Sequence, residues 1–161
     1  MYRFASMPTA SAEATCEIDA PPQLVWEVML DLPRYGEWNP FVVEARLAGP
    51  LQVGATLQLK VRWHDGGGAG SGERITELVA PDGARAGRLV YDFTGWLPAL
   101  GLVRATRVQQ LEELAAGRTR YSTHEAFRGL LVAFLPLAKV RDGFARHAQA
   151  LKHRAESLAS R

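Results

Sequence analysis

The chain has 161 residues, with 19 lysines and arginines against 17 aspartates and glutamates, a net charge of +2 and 47% hydrophobic residues. That length suits one domain with a core of its own. The near-balanced charge gives no footing for nucleic-acid binding, and no run approaches the ~20 consecutive apolar residues of a membrane-spanning helix. The first residues, Met1 to Met7, lack the apolar stretch of about 7–15 residues that marks a secretory signal. A cytoplasmic protein is therefore expected, with residues 1–12 loosely ordered, the natural start at Met1 or Met7, and a single domain over 13–158.

Ala12 to Asp19 alternates as a first strand, with Asp19 placed to cap a short helix that opens at Pro21-Pro22. Leu24, Val25, Val28 and Met29 give that helix its apolar face, and it stops near Asp31-Leu32-Pro33. Arg34 to Phe41 is aromatic and turn-rich, which predicts one helical turn and a corner at Trp38-Asn39-Pro40. Strands follow. Val43, Ala45 and Leu47 are expected on one face, and Leu57, Leu59, Val61 and Trp63 form the clearest half-buried alternation. Asp65 to Gly72 reads as a flexible glycine-rich hairpin loop before a strand near Glu73–Val79. It lacks the Gly-Lys-Ser/Thr ending and the following helix of a phosphate loop. Leu89, Tyr91 and Phe93 then share a face, 95–101 is an apolar loop, and two strands, about Leu102–Leu114 and Arg118–Phe127, precede a long helix from Pro136 to Ser157. Leu137, Val140, Phe144, Ala148, Leu151, Ala155 and Leu158 form its apolar stripe. Its basic side is expected to be mostly solvated, with at most transient contact with an anionic membrane.

One strand, two short helices, six strands and a long helix predict an α+β fold, an antiparallel sheet with helices on one face. Three stretches carry a resemblance. They are Ala20 to Val28 with Asp31 and Tyr35 to Phe41, the turn Gly49 to Gly54, and His124 to Gly129 with Ala150 to Glu156. In this order and spacing they resemble the START-like helix-grip superfamily, in particular its polyketide cyclase/dehydrase and lipid-transport group. The resemblance implies a curved seven-stranded antiparallel sheet wrapped around the terminal helix, with a hydrophobic cavity between them. Its members include lipid carriers and aromatic-ring cyclases.

The last hairpin can be registered from the residues. With Gly117 left-handed in a three-residue loop and Leu114 opposite Arg118, the pairs are Leu111 with Tyr121, Gln109 with Thr123, Arg107 with Glu125, and Ala105 with Phe127. Leu111, Tyr121 and Phe127 make this the inward face, so Arg107 and Glu125 are expected to meet inside. They read first as an ion pair satisfying a buried carboxylate, and alternatively as a polar anchor for a ligand. The candidate ligand-binding residues are Trp63, Tyr91, Phe93, Arg107, Gln109, Tyr121, Thr123, Glu125, Phe144 and His147. Glu125 and Tyr91 are weak candidates for moving a proton.

His64, His124 and His147 are read individually as surface or flank residues, even though His147 falls on the inward list. The scattered histidines and single cysteine predict no metal site and no cofactor. Cys16 reads as a small buried apolar residue. The leading expectation is binding of a hydrophobic, lipid-like, acyl or aromatic small molecule by a monomer or homodimer. The alternative is a polyketide cyclase/dehydrase-type enzyme using the same cavity. An assembly module acting through its outer surface is a third.

Overall fold

The computed structural model describes residues 7–161, so the question of the natural start and the order of residues 1–6 lies outside the described residues. The elements run β1 (Thr9–Ile18), α1 (Pro22–Leu30), a 3-10 turn (Leu32–Arg34), α2 (Tyr35–Trp38), β2 (Val42–Leu47), β3 (Thr56–Arg62), β4 (Gly68–Val79), β5 (Gly87–Thr94), α3 (Trp96–Ala99), β6 (Arg104–Ala115), β7 (Arg118–Arg128), a second 3-10 turn (Val132–Phe134) and α4 (Leu137–Ala159). All seven strands join one antiparallel sheet in the order β1-β7-β6-β5-β4-β3-β2. This is the helix-grip architecture that the resemblance implied.

Local chemistry accounts for most boundaries and for the departures from expectation. The first strand begins at Thr9, which pairs with Arg128, so Thr9 to Ala12, within the segment expected to be loose, are already in the sheet. Asp19 does not cap α1: the N-cap is Pro21, with no side-chain bond. The Asp19 carboxylate instead accepts from Arg118 Nε at 3.0 Å, while its backbone N–H reaches Glu156 Oε1 at 2.9 Å. In β2 a bulge between Val42 and Glu44 resets the alternation, so Val42 and Ala45 are buried and Val43 is not fully so. The hairpin register holds from Leu111–Tyr121 through Ala105–Phe127. The turn, however, sets Ala115 opposite Arg118, with the irregularity absorbed at Leu114 and Gly117 at φ +77°.

The largest correction concerns the glycine run. Gly68 to Gly72 is not a loop. It is the first half of β4, paired residue by residue with Arg62 to Gln58. Glycine is a poor strand former because it has no side chain to pack, which is why the composition reads as loop. The long partner strand β3 supplies the hydrogen bonds that hold it. Ala69, Ser71 and Glu73 then project inward opposite Val61, Leu59 and Leu57.

α4 lies across the concave face with Phe144, His147, Ala148, Leu151 and Ala155 buried. Burying each large apolar side chain is worth roughly 1.5–3 kcal/mol, so packing outweighs the absent N-cap bond. The basic side of α4 is tethered more than solvated. Arg141 donates to Ser11 O (3.0 and 3.2 Å) and Lys152 to Glu17 O (2.6 Å) on edge strand β1. Arg146 donates to Pro40 O (2.9 Å) and Arg62 O (3.1 Å) on the far side. These cations occupy backbone carbonyls at both sides of the open sheet and set the helix across it.

Gly143 sits inside α4 where alanine would ordinarily be worth up to ~1 kcal/mol more. A Cβ there would run into the Phe41 ring. Gly143→Ala is accordingly expected to destabilise, by about 1–2 kcal/mol from overpacking, which is roughly 3–6 °C in Tm for a chain of this size. A Tm that stays level or rises would show that Phe41 moves aside freely.

Candidate functional site

Between the sheet and the N-terminal half of α4 lies a cavity of about 220 Å³. Its walls come from Leu59, Val61 and Trp63 of the β3 segment, Ala69, Ser71 and Glu73 of β4, and Tyr91 and Phe93 of β5. Ala105 and Arg107 of β6, Glu125 and Phe127 of β7, Phe41 and Val42, and Val140 and Phe144 of α4 complete it. The space exists because the inward positions of β4 carry Ala69 and Ser71 where neighbouring strands carry large side chains. Val103, Leu135 and Pro136 also line it, from the loops after α3 and before α4. A bond from Leu131 N–H to Leu102 O at 3.0 Å ties those loops together, and their outer residues Trp96, Leu100, Leu130 and Phe134 are exposed.

Three charged side chains reach this lining. Arg107 is 4% exposed; its Nε donates to Thr123 Oγ1 at 2.9 Å and its guanidinium lies 4.1 Å from the Phe144 ring centroid. No ion pair with Glu125 forms among the described residues, although the two are opposite each other in the ladder. Register fixes where the Cβ atoms are. The long arginine side chain then turns toward Thr123 and Phe144, and that is how the expected pair is lost. Glu125 is raised above its ordinary range by burial, partly offset by Arg107. Glu73, 6% exposed, is pushed up to about 8 by burial and then by the neighbouring Glu125 carboxylate, and its Oε2 has no hydrogen-bond partner.

Beyond Arg107 the interior closes into a packed polar network. Tyr121 OH donates to Gln109 Oε1 (2.7 Å), and Gln109 Nε2 donates to Tyr91 OH (3.3 Å). Tyr35 OH donates to Met29 O (2.6 Å), and the His147 ring stacks on Tyr121 with centroids 5.9 Å apart. Asn39 Oδ1 accepts the backbone N–H groups of Phe41 and Val42, both at 3.0 Å. Its amide nitrogen therefore faces His147 Nδ1, at 2.8 Å, and must donate to it. That fixes the imidazole as neutral with its proton on Nε2. Burial, with Arg107 nearby, also holds His147 well below its usual range. A void of only about 10 Å³ remains here, lined in part by Tyr35, Tyr91, Arg107, Gln109 and His147.

Six of the ten candidate residues thus share the cavity: Trp63, Tyr91, Phe93, Arg107, Glu125 and Phe144. Gln109, Tyr121, Thr123 and His147 do not line it; Gln109 bonds Tyr121 and Tyr91, Thr123 accepts from Arg107, and His147 pairs with Asn39 in the network behind it. His147 is fully buried, which overturns its reading as a surface or flank residue. Its spacing, three after Phe144 and four before Leu151, carried that signal. At the expected corner, Asn39 caps the turn from the interior through its bonds from Phe41 and Val42. Glu73 was missed. Two residues before buried Ile75, and opposite Phe93 in the ladder, it is inward by simple alternation once β4 is known to begin at Gly68.

Tyr91 OH is pushed above its ordinary range by burial, which leaves it a poor proton donor. Cys16 is inert, raised to about 11 by burial, with its thiol directed at Ala148 O (3.4 Å). Among the described residues no group of three or more His, Cys, Asp or Glu side chains could hold a metal ion, and no helix is long and apolar enough to cross a membrane.

A curved sheet gripping a helix around a partly apolar cavity defines a helix-grip domain. The chain belongs to the polyketide cyclase/dehydrase and lipid transport family, whose profile it matches over residues 9–159. Among solved structures it is similar to the Zhui aromatase/cyclase from Streptomyces sp. R1128, at 20% identity and TM-score 0.72, over 92% of this chain and 94% of that one. It is similar to the di-domain ARO/CYC BexL from the BE-7585A biosynthetic pathway, at 21% identity and TM-score 0.65, over 95% of this chain and 50% of that one. It is also similar to ginseng major latex-like protein 151 from Panax ginseng, at 10% identity and TM-score 0.68, over 94% and 97% of the two chains. At these identities the likeness is one of fold. No curated protein sequence matches the chain.

Proposed function

We propose that this protein binds a hydrophobic small molecule in the cavity between sheet and α4. The observation that carries this is the lining: carbon-rich walls with Arg107, Glu73 and Glu125 set into them, the composition usual for small-molecule sites. Size narrows the class. A cavity near 150 Å³ accepts benzene, so about 220 Å³ suits a body of roughly one or two rings or a short acyl chain. The reading is of a cytoplasmic protein, monomer or homodimer, acting on a diffusible ligand.

The second reading is an enzyme of the cyclase/dehydrase kind. Family membership favours it, and so does Glu73, whose carboxyl at about 8 is placed to exchange a proton near neutral pH. Glu125 is the weaker candidate and Tyr91 weaker still, given their environments.

Native mass spectrometry of the purified protein beside Ser71→Phe tests the binding reading. Ser71 faces the cavity, so the new ring is expected to fill it, holding Tm level or raising it while abolishing any retained small-molecule mass. Equal ligand retention by both proteins would remove the cavity from the function. Turnover of an aromatic poly-β-keto thioester by the wild type, lost in Glu73→Gln, would favour the enzyme instead.

A further inference from the structure

The charge pattern of the cavity points to the kind of ligand. Arg107 gives its Nε to Thr123 and its guanidinium face to Phe144, borders the small void beside His147, and keeps Nη2 buried without a partner. On the cavity lining the acidic side chains outnumber it two to one. Glu73 is more than nine-tenths buried with Oε2 unpartnered, and a second carboxylate, Glu125, lines the same space. With both ionised, two negative charges stand against one guanidinium that pairs directly with neither, a state strongly disfavoured in an apolar enclosure. Around them Trp63, Phe93 and Phe127 present aromatic surface that no arginine or lysine among the described residues covers, whereas Phe41 already lies under Arg146 at 5.9 Å. An alcohol would offer Glu73 a donor but no charge. A carboxylate would meet Arg107 Nη2 but leave Glu73 Oε2 without a donor and set a further acidic group beside Glu73 and Glu125. An ammonium answers the orphaned oxygen, the excess charge and the aromatic walls together.

We propose that the cavity takes a protonated primary amine on a hydrophobic body of one or two rings, its ammonium seated between Glu73 and Glu125. The inference rests on the reading of the cavity as a small-molecule site and names that site's ligand class. In the empty site Glu73 carries a proton. When the ammonium enters, that proton leaves to solvent and the carboxylate pairs with the ammonium, so charge and protons balance. The groups bearing on Glu73 are Ser71 on its own strand, Glu125 from β7, Arg107 from β6 and Asp92 from β5. From α4 the cavity receives only the uncharged Val140 and Phe144.

Isothermal titration with 2-phenylethylamine, 2-phenylethanol and 3-phenylpropanoate, in buffers of different ionisation enthalpy, tests it. The amine is expected to bind about tenfold or more tighter than the other two. It should release close to one proton near neutral pH, with affinity rising up to about tenfold per pH unit below the Glu73 carboxyl's own range. Glu73→Gln and Glu125→Gln should each shrink the preference for the amine over the alcohol, and Glu73→Gln should abolish proton release. An alcohol or carboxylate that binds as tightly as the amine, or amine binding without proton release, overturns the ligand class and leaves the cavity reading standing. If none of the three binds at millimolar concentration, the cavity reading falls and the inference goes with it.

Discussion

Asn39→Ala is expected to destabilise the fold by about 3–5 kcal/mol and to lower Tm by roughly 10 °C or more. One side chain serves three buried groups: the N–H of Phe41, the N–H of Val42 and Nδ1 of His147. All three residues are almost wholly shielded from solvent, so water cannot take over the bonds. Leaving a buried polar group unmade costs on the order of 1–3 kcal/mol, more than the net worth of a bond made. Asn39→Asp separates the components. It keeps an acceptor oxygen for both backbone N–H groups and loses the donor to the imidazole, so it should retain a large part of the stability. It should also draw a proton onto Nδ1, visible as a changed tautomer in nitrogen NMR of the ring. A loss under about 1 kcal/mol for the alanine variant would mean the corner is held by α2 packing alone.

The second large effect is a pH profile. A carboxyl whose pKa is higher in the folded state than in the unfolded chain binds more protons when folded, so its share of stability falls as pH rises between the two values. For Glu73 that window runs from 4.5 to about 8. His147 works in the opposite sense. Its pKa is depressed in the fold, so stability is lost as pH drops below the ordinary histidine value of 6.5. The wild type should therefore be most stable in mildly acid solution and weaken toward pH 8 and above. Glu73→Gln removes the alkaline loss. It is expected to be more stable than wild type near pH 9 by about 3 kcal/mol, or roughly 6–12 °C, with little advantage near pH 5. Denaturation curves that run parallel at all pH values would show that Glu73 is not held as a buried acid.

How much of this was legible beforehand follows from which interactions are local. The β6–β7 hairpin could be registered because Gly117 fixes a tight turn and Leu111, Tyr121 and Phe127 mark a face; every inner pair then fell into place. The stripe of α4 was legible for the same reason, a strict period over six turns. What stayed hidden depended on distant partners. Composition alone made Gly68–Gly72 a loop, since only pairing with β3 makes those glycines a strand, and Glu73, left as the first residue of the expected strand, was assigned no face. Opposition of Arg107 and Glu125 was correct at the backbone, yet several rotatable bonds separate a Cβ from a guanidinium. The rings of Phe144 and the hydroxyl of Thr123 claimed it first. Nor could the division between cavity and filled network be anticipated. Gln109, Tyr121, Thr123 and His147 alternate inward like the cavity residues, and only their mutual hydrogen bonds consume the space.

The glycines of β4 have a mechanical side. Gly68, Gly70 and Gly72 stand across from Arg62, Lys60 and Gln58, so along this stretch the ladder has no cross-strand side-chain pairs on its outer surface, the contacts that ordinarily brace neighbouring strands. The same few residues, through Ala69 and Ser71, give the interior its room. The wall between cavity and water is consequently braced by few side chains along this seam of the sheet, where the backbone itself is the partition.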